Sequence, residues 1–252
     1  VTVCTAEGGF QCKLDDRDVK TPMGKLLVLP TQPLAEKIAA EWDAQVDVVK
    51  PQAMHLTQIA TTARDKIEGR RNAVEQGLLR FTNTDLIFYF AENEGLTAQI
   101  AQRQEAQWRP WISWMEEKIG AKLATTTALK VLEQNPGFHD FMKSYLSSLS
   151  DLELCVFQIL TSESGSLVLS MGFMEGKLEP KHLLEISNTE DFFKNEIYNI
   201  VNQKVVDLVF ETTGNSKVIE QAYELTNPEG KTILVGVPND KISIYSLPLH
   251  FN

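Results

Sequence analysis

The sequence predicts an α+β fold: a small β-containing region at the N-terminus, a mainly α-helical middle domain, and a partial βαβ, Rossmann-like fragment at the C-terminal end. Three observations lead there. Up to residue 30 the apolar residues fall in short, loosely alternating runs broken by Gly and Pro. From residue 31 to about 180 they recur at helical spacing. Beyond 205 two apolar runs, VVDLVF and KTILVGV, flank a helical pattern, as in a strand–helix–strand unit. The expected divisions are 1–50, 51–185 and 186–252.

In the first region VTVCTAEGG and FQCKLDD read as strands, Gly8-Gly9 as a turn, TPMGK at 21–25 as a hairpin loop, and LLVLP at 26–30 as a buried strand ended by Pro30. The stretch TQPLAEKIAAEWDAQ then opens with Thr31 as N-cap and Pro33 in the first turn. Leu34, Ile38 and Trp42 follow four apart, with Ala35 and Ala39 beside them, and Glu36, Lys37, Glu41 and Asp43 form the face expected in water. Trp42 needs a packing layer and an acceptor for its indole N–H.

Leu56, Ile59, Ala60, Ala63 and Ile67 predict a helix, and Val74, Leu78, Leu79 and Phe81 a second from about Arg70. Thr84 or Asp85 caps a short apolar patch, LIFYF. Residues 96–120 predict a long helix with Trp108, Trp111 and Trp114 on it and a kink at Pro110. Helices over 138–148 and 151–163 are divided by SSLSD, where Ser150 or Asp151 caps the second. A further apolar helix is expected over 165–175, with Gly172 permitting close approach.

The 252 residues carry a net charge of −10, which argues against a phosphate-tracking surface and for no nucleic-acid partner. No apolar run is long enough to span a bilayer, so no membrane insertion is expected. The opening VTVCTAEGGF lacks a basic start, an apolar leader core and an initiating Met, as in a processed chain or a fragment. The three cysteines, Cys4, Cys12 and Cys155, form no CxxC or Cys/His ligand pattern, and a reducing compartment is the default. The four histidines have no metal spacing, and neither a GxSxG elbow nor a P-loop occurs. Nothing supplies an active site, so no catalytic residue, metal or cofactor is assigned and the protein is expected not to be an enzyme.

LPTQPLAEKIAAEWDAQ, followed by MHLTQIATTARDKI, FTNTDLIFYF, RQEAQWRPWISWMEEKIGAKL and ELCVFQILTSESGSLVLSMGFMEGKL, resembles the assembly chaperone family of the ATP synthase catalytic head, in order over about residues 10–183. The resemblance implies a binding protein that holds the free α subunit and prevents its aggregation, in the mitochondrial matrix or the bacterial cytoplasm. It places partner-binding at Glu41, Trp42 and Asp43 of the EWDAQ string, with Asp85 and Trp108 as further candidates. Two departures are visible: Arg109 follows Trp108 where the family has an acidic residue, and the family's closing Trp-Gly pair is missing.

From about 187 the pattern changes. VVDLVFETTGN and GKTILVGVP resemble the later half of the nucleotide-binding domain of medium-chain alcohol dehydrogenases. That resemblance would put Thr213, Gly214 and Asn215 near a cofactor ribose and Val235–Val237 near a nicotinamide. The GxGxxG turn that meets the pyrophosphate is absent from the chain. The alternative readings are therefore a nicotinamide-dependent oxidoreductase in the C-terminal part, or a non-functional fusion joined near residue 185.

Overall fold

The computed structural model describes residues 1–128, 130–189, 206–211, 218–219, 222 and 226–234. The chain divides into two compact units, Val1–Thr189 and Glu190–Asn252.

The first unit opens with an antiparallel three-stranded sheet: β1 (Thr2–Ala6), β2 (Gly9–Leu14) and β3 (Arg17–Asp18) in the order β1-β2-β3. Asp15 and Asp16 both have positive φ, 48° and 63°, the conformation that a two-residue hairpin requires and that Asp tolerates better than most residues. Gly9 is needed for another reason: a Cβ there would lie 2.2 Å from the Leu29 carbonyl oxygen. Residues 26–30, expected as a strand, do not form one. They are held by isolated bridges, with Phe10 N–H donating to Leu29 O at 2.9 Å and Leu29 N–H to Phe10 O at 2.7 Å. Register separates the two N-terminal cysteines. Cys4 faces Gln11 across the ladder and Cys12 faces Val3, so their side chains leave opposite faces of the sheet.

Helix α1 (Gln32–Asp43) lies on the Cys12 face, and the Cys12 thiol donates to Ala35 O. Ile38 and Ala35 are fully buried there, in a core with Val19, Leu27 and Leu29. Helix α2 (His55–Thr62) closes this core with Ala60 and runs into a π-helical turn, Ala63–Ile67. That turn grips the 21–25 loop. Asp65 accepts from Thr21 Oγ1 at 2.7 Å and Met23 N at 3.1 Å, while Lys25 Nζ donates to Arg64 O and Glu68.

The helical layer continues with α3 (Arg71–Leu79), α4 (Ala98–Ile119), α5 (Pro136–Ser148), α6 (Asp151–Ser164), α7 (Leu167–Met174) and α8 (Pro180–Ser187). Its core is separate and larger, built on Phe88, Trp108, Ile112, Met115, Phe138, Met142 and Phe157. Pro110 sits within α4, which ends at Gly120 in the left-handed region at φ 67°. Ser150 and Glu153 form a full capping box at the start of α6. The expected 165–175 helix begins later, at Leu167, because Gly165 at φ 68° terminates α6. Within α7, Gly172 lets the backbone meet Trp111: a Cβ there would lie 2.6 Å from the ring.

Residues Leu167–Gly172 are buried, so α7 has no wet face along that run and its first amides cannot turn to water. Ser166 caps Leu169 N. Asp85, itself fully buried, accepts from Leu167 N at 2.7 Å, Val168 N at 3.2 Å and Ile87 N at 3.3 Å. Burial pushes its carboxyl up to about 6, against the opposing pull of Ser166 and the amides.

The described part of the second unit is a parallel strand pair, β4 (Val206–Glu211) and β5 (Thr226–Leu234), with Leu208 opposite Lys231 and Phe210 opposite Ile233. Val218, Ile219 and Ala222, between the two strands in sequence, are helical, as in a βαβ unit. Thr213, Gly214, Asn215 and Val235–Val237 lie outside the described residues.

Because the folded state favours the protonated Asp85, its contribution to stability is greatest below the ordinary Asp value of 3.8 and declines as pH rises to about 6. The decline amounts to about 3 kcal/mol at most. All four tryptophans lie in the first unit, so selectively excited tryptophan fluorescence during urea unfolding reports on that unit. Asp85→Asn keeps the shape but cannot ionise, and it should gain on the wild type between pH 4.5 and pH 7. An equal wild-type-to-variant difference at both pH values would contradict this.

Candidate functional site

The EWDAQ string ends α1, and its three candidate residues have three different roles. Glu41 is half-buried and turned toward α2. Its carboxylate accepts from Leu56 N and Thr57 N, both at 2.8 Å, and from Thr57 Oγ1 at 2.7 Å. Met54, at the N-cap position of α2, has no side-chain acceptor to offer, so a carboxylate from α1 takes over that task. The expectation that Glu41 faces water as a partner contact is therefore corrected: its oxygens are already engaged.

Trp42 packs on the sheet core and forms one wall of a surface cleft of about 520 Å³, with Leu14, Asp15, Arg17, Asp18, Val19 and Lys20 around it. Its indole N–H is shielded from solvent and has no acceptor among the described residues. Asp43 is exposed and pairs with the Val1 amino group at 2.7 Å.

Asp85 and Trp108 belong to the interior. Asp85 is 0% exposed and Trp108 1%, so neither can meet a partner in this fold. Trp108 Nε1 donates to Ile186 O at 2.9 Å and its ring stands edge-on to Phe90, 5.4 Å away, which ties α4 to α8. Both are corrected from partner contacts to organisers of the helical layer. The residue after Trp108, Arg109, is bound by Glu105 through two hydrogen bonds of 2.8 and 2.9 Å and lies over the Phe90 ring.

The sequence reading missed the loop after α1. Val46, Val48 and Val49 are 90%, 69% and 48% exposed, and they are among the most exposed large apolar residues of the described chain. Three valines in four positions were a visible signal, but extended backbone between helices concealed which way they point. Among the described residues no three His, Cys, Asp or Glu gather to hold a metal ion, and no helix is long and apolar enough to cross a membrane.

A small sheet leans on a helical layer, with exposed apolar side chains at Met23, Val131 and Leu184 as well as on the 44–50 loop, and similarity to known proteins gives the class of this fold, a chaperone. The sequence matches the family model described as ATP12 chaperone protein over residues 1–116. The crystal structure of Atp12 from Paracoccus denitrificans is 30% identical, covering 77% of this chain and 82% of that one, at a TM-score of 0.73. The mitochondrial protein atp12 of Schizosaccharomyces pombe is 23% identical over 87% of this chain and 81% of its own length, and the mitochondrial ATP12 of Saccharomyces cerevisiae is 21% identical over 81% and 70%. The chain belongs to the ATP12 chaperone family, the family of ATP synthase assembly identified on the sequence. Residues 176–252 match a second model, described as zinc-binding dehydrogenase.

If Glu41 is a cap, Glu41→Ala should lower the stability of the first unit by about 1–2 kcal/mol, Glu41→Gln by less, and Asp43→Ala by almost nothing. Urea titrations followed by tryptophan fluorescence measure all three. Equal losses for Glu41→Ala and Asp43→Ala would contradict the assignment.

Proposed function

We propose that the protein holds the free α subunit of the ATP synthase catalytic head before assembly, in the mitochondrial matrix or the bacterial cytoplasm. The observation that carries this reading is the similarity to Paracoccus Atp12, 30% identical with a TM-score of 0.73, joined to the client that the family resemblance implies. An unassembled subunit exposes the apolar interface meant for its permanent neighbour. A chaperone that covers part of that interface keeps the subunit from self-association, and it leaves when the neighbour, with more area to bury, competes. The work is binding, so it needs no cofactor and no turnover. We assign client contact to residues 1–185, divided at about 50 between the sheet-bearing region and the helical layer, with Trp42 and Asp43 on the contact surface. The boundary expected at 185/186 falls close to the end of the first compact unit at Thr189, and Glu190–Asn252 form a second unit.

Isolated α subunit, diluted from denaturant, should scatter less light in the presence of an equimolar amount of the protein and should co-elute with it on gel filtration. Scattering unchanged from that with a charge-matched control protein would reject the reading.

A second reading rests on the dehydrogenase match over residues 176–252 and on the parallel β4–β5 pair: a nicotinamide-binding oxidoreductase module. The three cysteines, Cys4, Cys12 and Cys155, all lie in the first unit, so this module has no thiolate of its own for a zinc ion. The phosphate-binding glycine turn is also missing from the sequence. Titration with NADH discriminates: a saturable, blue-shifted enhancement of NADH's own fluorescence at micromolar concentration supports this second reading, and nucleotide emission unchanged from that in buffer rejects it.

A further inference from the structure

We infer that the cleft between the β2–β3 hairpin and Trp42 is a carboxylate-binding site, which takes an exposed Asp or Glu of the client together with an apolar neighbour. The inference rests on the reading that the client is the free α subunit, and it names the chemistry by which one surface of the protein holds it.

The local balance of charge is the first observation. Four charged residues line this cleft of about 520 Å³: Asp15, Arg17, Asp18 and Lys20. Asp18 is engaged, accepting from Gln11 Nε2 at 2.8 Å and lying 3.6 Å from Lys13 Nζ. Arg17 and Lys20 are exposed and make no ion pair or side-chain hydrogen bond among the described residues, and neither does Asp15. Two unengaged cations against one unengaged acid leave the cleft with a surplus of one positive charge, in a chain whose net charge is −10.

That balance selects the occupant. A nucleic acid brings a charge about every 1.7 Å, which the acidic remainder of the surface repels. One carboxylate matches the surplus. Arg17 offers it a planar fork of donors, and Lys20 adds a point charge. The rest of the lining, Leu14, Val19 and the Trp42 ring, is apolar, so the acid is best carried beside an apolar group. A second copy of this chain approaches with the same −10 charge and is repelled as a whole. The client is favoured by continuity, because the cleft is walled by Trp42, already assigned to the contact surface.

The cations also stand on fixed backbone. Val19 N–H donates to Cys12 O at 3.0 Å, Val19 O accepts from Leu27 N at 3.1 Å, and Lys20 bridges to Leu26. Held from both sides, the strand has little order left to gain when the cleft is filled.

The test uses the full chain and isolated α subunit, with affinities and rates from surface-based kinetics and melting followed by selectively excited tryptophan fluorescence. Arg17→Gln/Lys20→Gln should weaken binding by roughly tenfold with the melting point unchanged, and slow association several-fold at low salt. Asp15→Asn removes the competing acid with a residue that also accepts a positive φ, and it should tighten binding several-fold. Lys37→Gln, an exposed cation outside the cleft, should leave the affinity unchanged. Arg17→Glu/Lys20→Glu should be weaker than the Gln pair, and a reversal no worse than neutralisation would overturn an anionic occupant. Wild-type affinity in Arg17→Gln/Lys20→Gln, or an equal loss in Lys37→Gln, would overturn the site while the chaperone reading stands. Failure of the wild type to bind α subunit would overturn both. A concentration-dependent dimer that Arg17→Gln/Lys20→Gln abolishes would also overturn the inference, because the cleft would then serve a second copy.

Discussion

The helical layer depends on one buried carboxylate. Helix α7 is apolar on every side over Leu167–Gly172, and such a helix is stable only inside the protein, where its first-turn amides have no water to bind. Asp85 takes two of those amides and Ser166 a third. The positive end of the helix dipole faces the carboxylate and offsets part of its desolvation. The same Asp85 begins the 86–88 turn, where Leu86 N–H donates to Gly165 O at 2.9 Å, so the α6–α7 corner and the 85–90 segment are fixed to each other. Once α7 is in place, Gly172 admits the Trp111 ring, and that contact sets how closely α4 approaches.

Other helix ends are completed in the same way, by side chains from elsewhere in the chain. Glu41 closes the start of α2, and Arg71 donates to the carbonyls of Leu146 and Leu149 at the end of α5 while pairing with Asp151. Glu116 accepts from Leu123 N beyond the end of α4. Each of these joins two elements as well as satisfying an orphan backbone group, so losing one exposes a terminus and loosens a packing contact together.

That division explains what could be read in the sequence. Local signals were legible: Pro33 near the start of α1, the Ser150–Glu153 box, Gly120 after α4, and the stripe of Ala35, Ile38 and Ala39. Long-range ones were not. Glu41 lies among charged neighbours at a position that periodicity assigns to water, and nothing within a few residues of it announces Thr57 as its partner. Asp85 looks like a local cap, which it is, but the α7 amides it also serves are some 80 residues away. The π-helical turn was invisible because Ala63 and Ile67, four apart, satisfy an ordinary helix equally well. The site suffered from the same limit. Aromatic residues and acids drew attention to Trp108 and Asp85, yet a side chain of either kind is as useful for holding helices together as for meeting a partner.

The surface that remains suits exchange better than permanent attachment. Many acids of the helical layer are engaged locally: Glu105 by Arg109, Glu116 by Lys122, and Glu153 by Ser150, interactions that hold each carboxyl below its usual range. Burying a valine completely yields about 1.5 kcal/mol, so Val46, Val48 and Val49 of the loop after α1 together yield roughly 4–5 kcal/mol. Association alone costs about 4 kcal/mol or more in lost freedom, which leaves such a loop unable to hold a client without help from charge attraction and from neighbouring contacts. A contact of that strength falls in the range where a competitor burying several times the area displaces it by mass action, with no energy source.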